Sequence, residues 1–255
     1  MIFSANPGYE ISKILHITSS HHDTPLDTTT TLFDAENNIN NVTFETDGSY
    51  IFQATNVQSG QAIEIYTRPI VYTLTTSHDS GSIIMDGATY THHTSELLEV
   101  FFKAHEGYRI DSIEVDGHTY TAADMILNTT IFNFETGGNE ILSGDVHLSK
   151  TQNHDVKVTS VKRTYDLTYK YYEQQDNGTF TELTAEQENN TDVEFGSSLP
   201  IPSKLAGDKT KPGYTLRGWF ATRTGTEFTD LADLSATKMP AKDVTYYAFW
   251  EKDPD

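Results

Sequence analysis

The sequence predicts an all-β protein: mainly β-sandwich-like modules in tandem. Three observations lead there. Thr is abundant, with 37 residues, and is joined by 14 Tyr and 13 Phe; these types suit pleated, half-buried surfaces. Asn, Asp and Gly punctuate the chain as turn residues do. And one stretch of the chain is repeated further along, the mark of an array.

The repeat defines the first two units. Phe3-Ser4-Ala5-Asn6-Pro7-Gly8-Tyr9-Glu10-Ile11 is matched by Phe102-Lys103-Ala104-His105-Glu106-Gly107-Tyr108-Arg109-Ile110. Val42-Thr43-Phe44 then matches Phe132-Asn133-Phe134, and Ala62-Ile63-Glu64-Ile65 matches Asp155-Val156-Lys157-Val158. Phe, Ala, Tyr and Ile fall on core positions around a bend, where Gly8 and Gly107 take a backbone angle closed to other residues. Ile113-Glu114-Val115 followed by Asp116-Gly117 reads as a strand entering a tight hairpin. Domains are expected at 1–70, where the first copy begins part-way through its module, and at 71–164.

The third domain, 165–255, carries a different pattern. All ten His lie before Tyr165. Tyr165 to Tyr172 alternates as a strand, Asp176-Asn177-Gly178-Thr179 turns it, and Phe180 to Leu183 returns. Pro212-Gly213-Tyr214-Thr215-Leu216-Arg217-Gly218-Trp219-Phe220 follows, then Met239-Pro240-Ala241-Lys242-Asp243-Val244-Thr245-Tyr246-Tyr247-Ala248-Phe249-Trp250. These two segments, in this order, resemble the Listeria–Bacteroides repeat, the B-repeat of internalins, over about 165–252. The resemblance implies that the C-terminal module is a small β-grasp, ubiquitin-like α+β unit from a Gram-positive surface protein. The chain departs from that compact pattern between Phe180 and Pro200, where extra polar residues imply a longer loop or strand pair. The residues themselves place Tyr214, Leu216, Trp219 and Phe220 on one core strand and Val244, Tyr246, Ala248 and Trp250 on another, with a short helical turn over 230–236.

Bulk properties exclude several partners. Acids outnumber bases 37 to 17, for a formal charge of −20; a nucleic-acid or anionic-lipid binder needs clustered Lys and Arg instead. Cys is absent, which removes disulfides and thiolate metal sites. No apolar run approaches the roughly 18 residues of a membrane span. Met1-Ile2-Phe3 lacks the basic start and apolar stretch of a leader, so a secreted reading expects the sequence to be a piece of a longer protein.

No catalytic motif is found: no nucleophile elbow, phosphate loop, metalloprotease helix or dinucleotide fingerprint. The expectation is therefore no enzyme and no cofactor. His21-His22-Asp23 and His92-His93 read as loop histidines, since adjacent strand residues point to opposite faces. Asp86-Gly87 and Asp116-Gly117 are turns without a calcium-loop pattern. Lys13, Lys103 and Lys157 are the strand lysines open to an isopeptide crosslink with an Asn. Tyr171, Tyr172 and Tyr247 are the weak candidates for stacking on a ligand; Gly8, Tyr9, Gly107, Tyr108, Tyr214, Gly218, Trp219 and Trp250 are structural.

The function expected is an extracellular, cell-wall stalk or adhesion segment, monomeric and extended. The alternative is a module that recognises a host glycan, mucin or protein. That alternative predicts an exposed aromatic patch or an open sheet edge.

Overall fold

The computed structural model describes residues 2–18, 28–37, 39–40, 42–44, 50–51, 61–137 and 140–254. The chain is all-β, in curled sheets. His21, His22 and Asp23 lie outside the described residues.

The first stretch contributes β1 (Ile2–Phe3), β2 (Tyr9–Thr18), β3 (Thr28–Asp34), β4 (Ile39–Asn40), β5 (Thr43–Phe44), β6 (Tyr50–Ile51) and β7 (Gln61–Pro69). They form two wings, ordered β4-β3-β2-β7 and β1-β6-β5. Ile11, Ile14 and Leu32 are buried there, with Phe3, Ala5, Phe33, Val42 and Ile63 packed on them.

The second stretch repeats that plan and extends it. It comprises β8 (Val71–His78), β9 (Ser82–Ile84), β10 (Ala88–Thr91), β11 (His93–Ala104), β12 (Tyr108–Val115), β13 (His118–Thr121), α1 (Ala122–Leu127), β14 (Phe132–Gly137), β15 (Glu140–Lys150) and β16 (His154–Lys162). One wing holds β10-β8-β16-β12 with β13, the other β9-β11-β15 with β14, and the pair Ile110↔Ile141 joins them. The core takes Leu74, Ile113 and Val156 from one wing and Val100, Phe132 and Val146 from the other. The correspondence with the first stretch is strand for strand: β2 pairs β3 and β7 as β12 pairs β13 and β16. Even the irregularity is kept, after Ile11 in β2 and after Ile110 in β12. The hairpin at Asp116 (φ 51°) and Gly117 (φ 82°) puts two successive residues in the left-handed region, as a two-residue turn of this hand requires.

The third stretch has β17 (Thr164–Gln174), β18 (Phe180–Glu182), a 3₁₀ turn (Thr184–Glu186), β19 (Glu188–Glu194), β20 (Tyr214–Thr224), β21 (Glu227–Leu231) and β22 (Val244–Lys252). The sheet runs β18-β17-β22-β20-β21, with β19 also on β17, and β17 and β22 are parallel. One expectation is corrected here. No α-helix occurs among the described residues of 165–254, so the α+β label does not hold. The connection 195–213 contains Pro200, Pro202, Pro212 and three Gly, a composition that stops helices; it covers the core with Leu199 as irregular chain. The turn expected over 230–236 is present but shorter: β21 runs to Leu231, and the Asp233 carbonyl then accepts from the Ala236 and Thr237 N–H groups.

Phe220 does not join the core. The β20–β22 register slips between Arg217 and Phe220. A bulge of this kind resets which face each side chain takes. Leu216 and Trp219, an odd number of residues apart, therefore both point inward and are buried, while Phe220 turns to the other face.

Candidate functional site

β17 places Tyr165, Leu167, Tyr169 and Tyr171 inward by simple alternation. Tyr171 is wholly buried, its ring 5.0 Å from that of Trp219, and its hydroxyl donates to Glu188 Oε1 at 2.5 Å. Burial and that hydrogen bond raise the Tyr171 hydroxyl well above the usual tyrosine range. Burial alone would raise Glu188, but bonds from the Ser203 hydroxyl, Tyr171 and the Ser203 N–H hold it below the usual carboxylate range. Tyr171 therefore offers no face to a ligand.

Tyr172 points the opposite way and meets Tyr247 at 6.4 Å between ring centroids. Around them Phe180, Phe220, Phe228 and Phe249 make a second aromatic layer on the outer face, with Phe228 and Phe249 4.5 Å apart. The Arg223 guanidinium lies 4.0 Å above the Tyr172 ring, a cation–π arrangement. Tyr172 is itself buried by this layer, and its hydroxyl donates to Glu182 at 2.8 Å. Burial first, then Glu182, push Tyr172 up to about 12. Of the three candidates, then, only Tyr172 and Tyr247 share a face; Tyr172 is buried there and Tyr247 is half-buried beside it.

The sequence did not signal a second feature. An apolar cleft of about 750 Å³ lies where β9, β11, β14 and β15 meet, lined by Ile83, Met85, Phe101, Phe102 and Phe134 among others. Ile83 and Phe101 are 45% and 55% exposed, unusual for side chains of that size. Gly144 is part of its lining, where β14 and Phe102 approach closely: a Cβ there would lie 2.3 Å from the Asn133 carbonyl oxygen and 2.9 Å from Phe102. Two acids, Glu135 and Asp145, line the cleft. Glu135 accepts from Ser143 at 3.1 Å, and Asp145 lies 3.1 Å from His147 Nε2. Alternation in β11 is the signal that could have found it, because Phe101 and Phe102 cannot both face one core.

The remaining polar candidates are dispersed. Lys103 and Lys157 are exposed, and Lys13 lies 3.6 Å from Asp34. His93 is exposed beside Glu96, whereas His92 sits against Tyr72. Asp116 is spent within the fold: Oδ1 accepts the Asp155 N–H at 2.8 Å, and Oδ2 is 2.7 Å from the buried His154. Among the described residues, no three His, Asp or Glu side chains converge as a metal site would need. Among those residues, too, no helix is long and apolar enough to cross a membrane.

The structural set divides. Trp219 and Trp250 are buried, and the Trp219 indole N–H donates to the Lys204 carbonyl at 3.2 Å. Gly8, Gly107 and Gly213 have φ of 87°, 80° and 75°, each just before Tyr9, Tyr108 and Tyr214. Tyr108 and Tyr214 are half-buried, but Tyr9 is 47% exposed, which corrects its core assignment. The reason is local: Phe195 packs edge-on against Tyr108 at 5.7 Å, while its counterpart His92 leans on Tyr72 instead. Gly218 has no left-handed backbone; a Cβ there would meet only the tip of Leu231.

Fold and surface together define an all-β chain with an apolar cleft and an aromatic outer sheet face. The chain matches no protein-family model, and no curated protein is significantly similar to it.

Proposed function

We propose that this chain is a non-catalytic stalk or adhesion segment of a bacterial cell-surface protein, built from β-modules in tandem at 1–70, 71–164 and 165–255. One observation carries the reading. Each of the three hydrophobic clusters draws its residues from a single contiguous stretch of chain, about Phe3 to Ile63, Leu74 to Val158 and Tyr165 to Trp250. Chains whose parts each close their own core behave as arrays.

For 165–255 we propose a β-grasp-like module related to the internalin B-repeat. Its support is the sheet order β19-β17-β22-β20, in which the first and last strands lie parallel at the centre, together with the two sequence segments quoted above. The stretch 71–164 shares this order as β10-β8-β16-β12, again with a central parallel pair. Stretching the intact chain from its ends in a single-molecule instrument tests the array. Separate unfolding steps are expected; one step for the whole chain overturns it.

The cleft beside Phe101 favours a second reading, in which 71–164 holds an apolar segment or sugar face of a host ligand. Exposed apolar surface of this kind marks interaction sites. Binding to a mucin and glycan panel, lost in F101S, is the expected result; equal binding by F101S removes the cleft from consideration.

A further inference from the structure

The same three-part contact occurs where the chain leaves one sheet group and enters the next. β7 ends at Pro69 and β8 begins at Val71; β16 ends at Lys162 and β17 begins at Thr164. A single residue, Ile70 or Arg163, makes each passage. The Ile70 N–H donates back to the Gly8 carbonyl at 2.9 Å, and the Ile70 carbonyl accepts forward from His92 at 2.9 Å. The Arg163 N–H donates to the Gly107 carbonyl at 2.8 Å, and its carbonyl accepts from Phe195 at 2.9 Å. In both cases the forward residue also lays its ring over the glycine. A Cβ on Gly8 would fall 2.6 Å from His92 Cδ2, and one on Gly107 2.4 Å from Phe195 Cδ1.

We infer that this glycine–linker–ring contact is a recurring joint that fixes the orientation of each proposed module on its predecessor. The inference rests on the module reading, since it treats Ile70 and Arg163 as boundaries. The physical case has three parts. A linker of one residue with both its N–H and its carbonyl committed has no free dihedral with which to swing. The glycine supplies two things at once, a left-handed φ and an empty Cβ position, and the ring needs the second. At the 163 joint, Tyr108 meets the Phe195 ring edge-on, and Lys162 bonds Glu194 at 2.8 Å across the passage.

The chain contains its own control. Gly213 has φ 75°, precedes Tyr214, and accepts the Asp253 N–H at 2.9 Å, just as Gly8 and Gly107 accept theirs. Yet no atom lies within 4 Å of a Cβ built on it. A substitution at Gly213 therefore meets only backbone strain, while the same substitution at Gly107 also displaces Phe195.

Because the chain has no Cys, spin labels on K157C and T222C would report distances across the 163 joint without background. A single narrow distance peak is expected for the otherwise unchanged chain and for G213V. Loss of that peak to a broad distribution is expected for F195A and for G107V. F195A carries the test if G107V does not fold, with emission from Trp219 and Trp250, both in the third core, as the check on folding. Narrow peaks in F195A and G107V, or an equally broad one in G213V, overturn the joint. A broad distribution in the otherwise unchanged chain together with separate unfolding steps rejects the joint but keeps the modules; a single unfolding step rejects the modules.

Discussion

Asp79 gathers four hydrogen bonds on one carboxylate, from the Gly81 N–H, the Ser82 hydroxyl, and the N–H and hydroxyl of Ser160. It thereby ties the β8–β9 turn to β16. Burial alone would raise its pKa, but the Ser160 and Ser82 bonds outweigh that and leave it below the usual carboxylate value. A depressed folded-state pKa adds stability that is present above the unfolded value, about 3.9, and is lost as pH falls through the folded one. Asp79→Asn should cost about 2 kcal/mol at neutral pH. Below about pH 4 the gap between variant and parent should close, which chemical melts at several pH values would show; a gap that persists in acid would contradict this role. In the third core, Trp219→Ala or Trp250→Ala should cost roughly 3–5 kcal/mol. A melt of either variant matching the parent would contradict their placement. Tyr171→Phe should cost about 1–2 kcal/mol, read in the same melts, because Glu188 loses one of its three donors while Ser203 keeps its own.

Glycines of equal prominence in the sequence have unequal work in the strands. Gly144 in β15 faces the Asn133 carbonyl of β14, a backbone atom that cannot retreat without opening the ladder. Gly218 in β20 faces the methyl end of Leu231, which is 72% exposed and free to turn away. Gly144→Ala should therefore cost more than about 2 kcal/mol, while Gly218→Ala should stay under about 1 kcal/mol; paired thermal melts decide it, and equal losses would count against this account. Strand alternation and turn residues made the β class, the repeat and the Asp116-Gly117 hairpin legible beforehand, because they are local. The bulge after Arg217 was not legible, since it depends on what β22 offers across the sheet, and it alone sends Phe220 outward. A local likeness between the first and third stretches was legible in part: Pro7-Gly8-Tyr9 and Pro212-Gly213-Tyr214 are the same tripeptide, and both glycines take a left-handed φ. It was masked by the aromatic-rich strands around it. Of the surface, the outward position of Tyr247 was legible as strand alternation; the cleft at Phe101 was legible only as the Phe101-Phe102 pair in β11, because its other walls come from strands distant in sequence.

At the scale of the molecule, the described residues form three aromatic and aliphatic centres in a sequence of 255 residues with a net charge of −20. None of the three is large, so the loss of one big side chain weighs heavily on the part that contains it. The melts above should accordingly be local. Trp219→Ala should lower only the transition reported by the third stretch, and leave amide protection around Ile113 and Val158 unchanged in hydrogen exchange. Uniform loss of protection across both stretches would show that the centres are not independent.

The single-residue passages at Ile70 and Arg163 have one more effect. An endoprotease must draw several residues of backbone into its cleft in extended, unpaired form, and the connections between folded units usually supply them. Here the backbone on either side is already committed to strands, and the residue between is held at both of its polar atoms. Digestion should spare the very points where a multi-part chain is ordinarily severed, and a molecule exposed to hostile secretions would be trimmed at its loops before it could be cut into lengths.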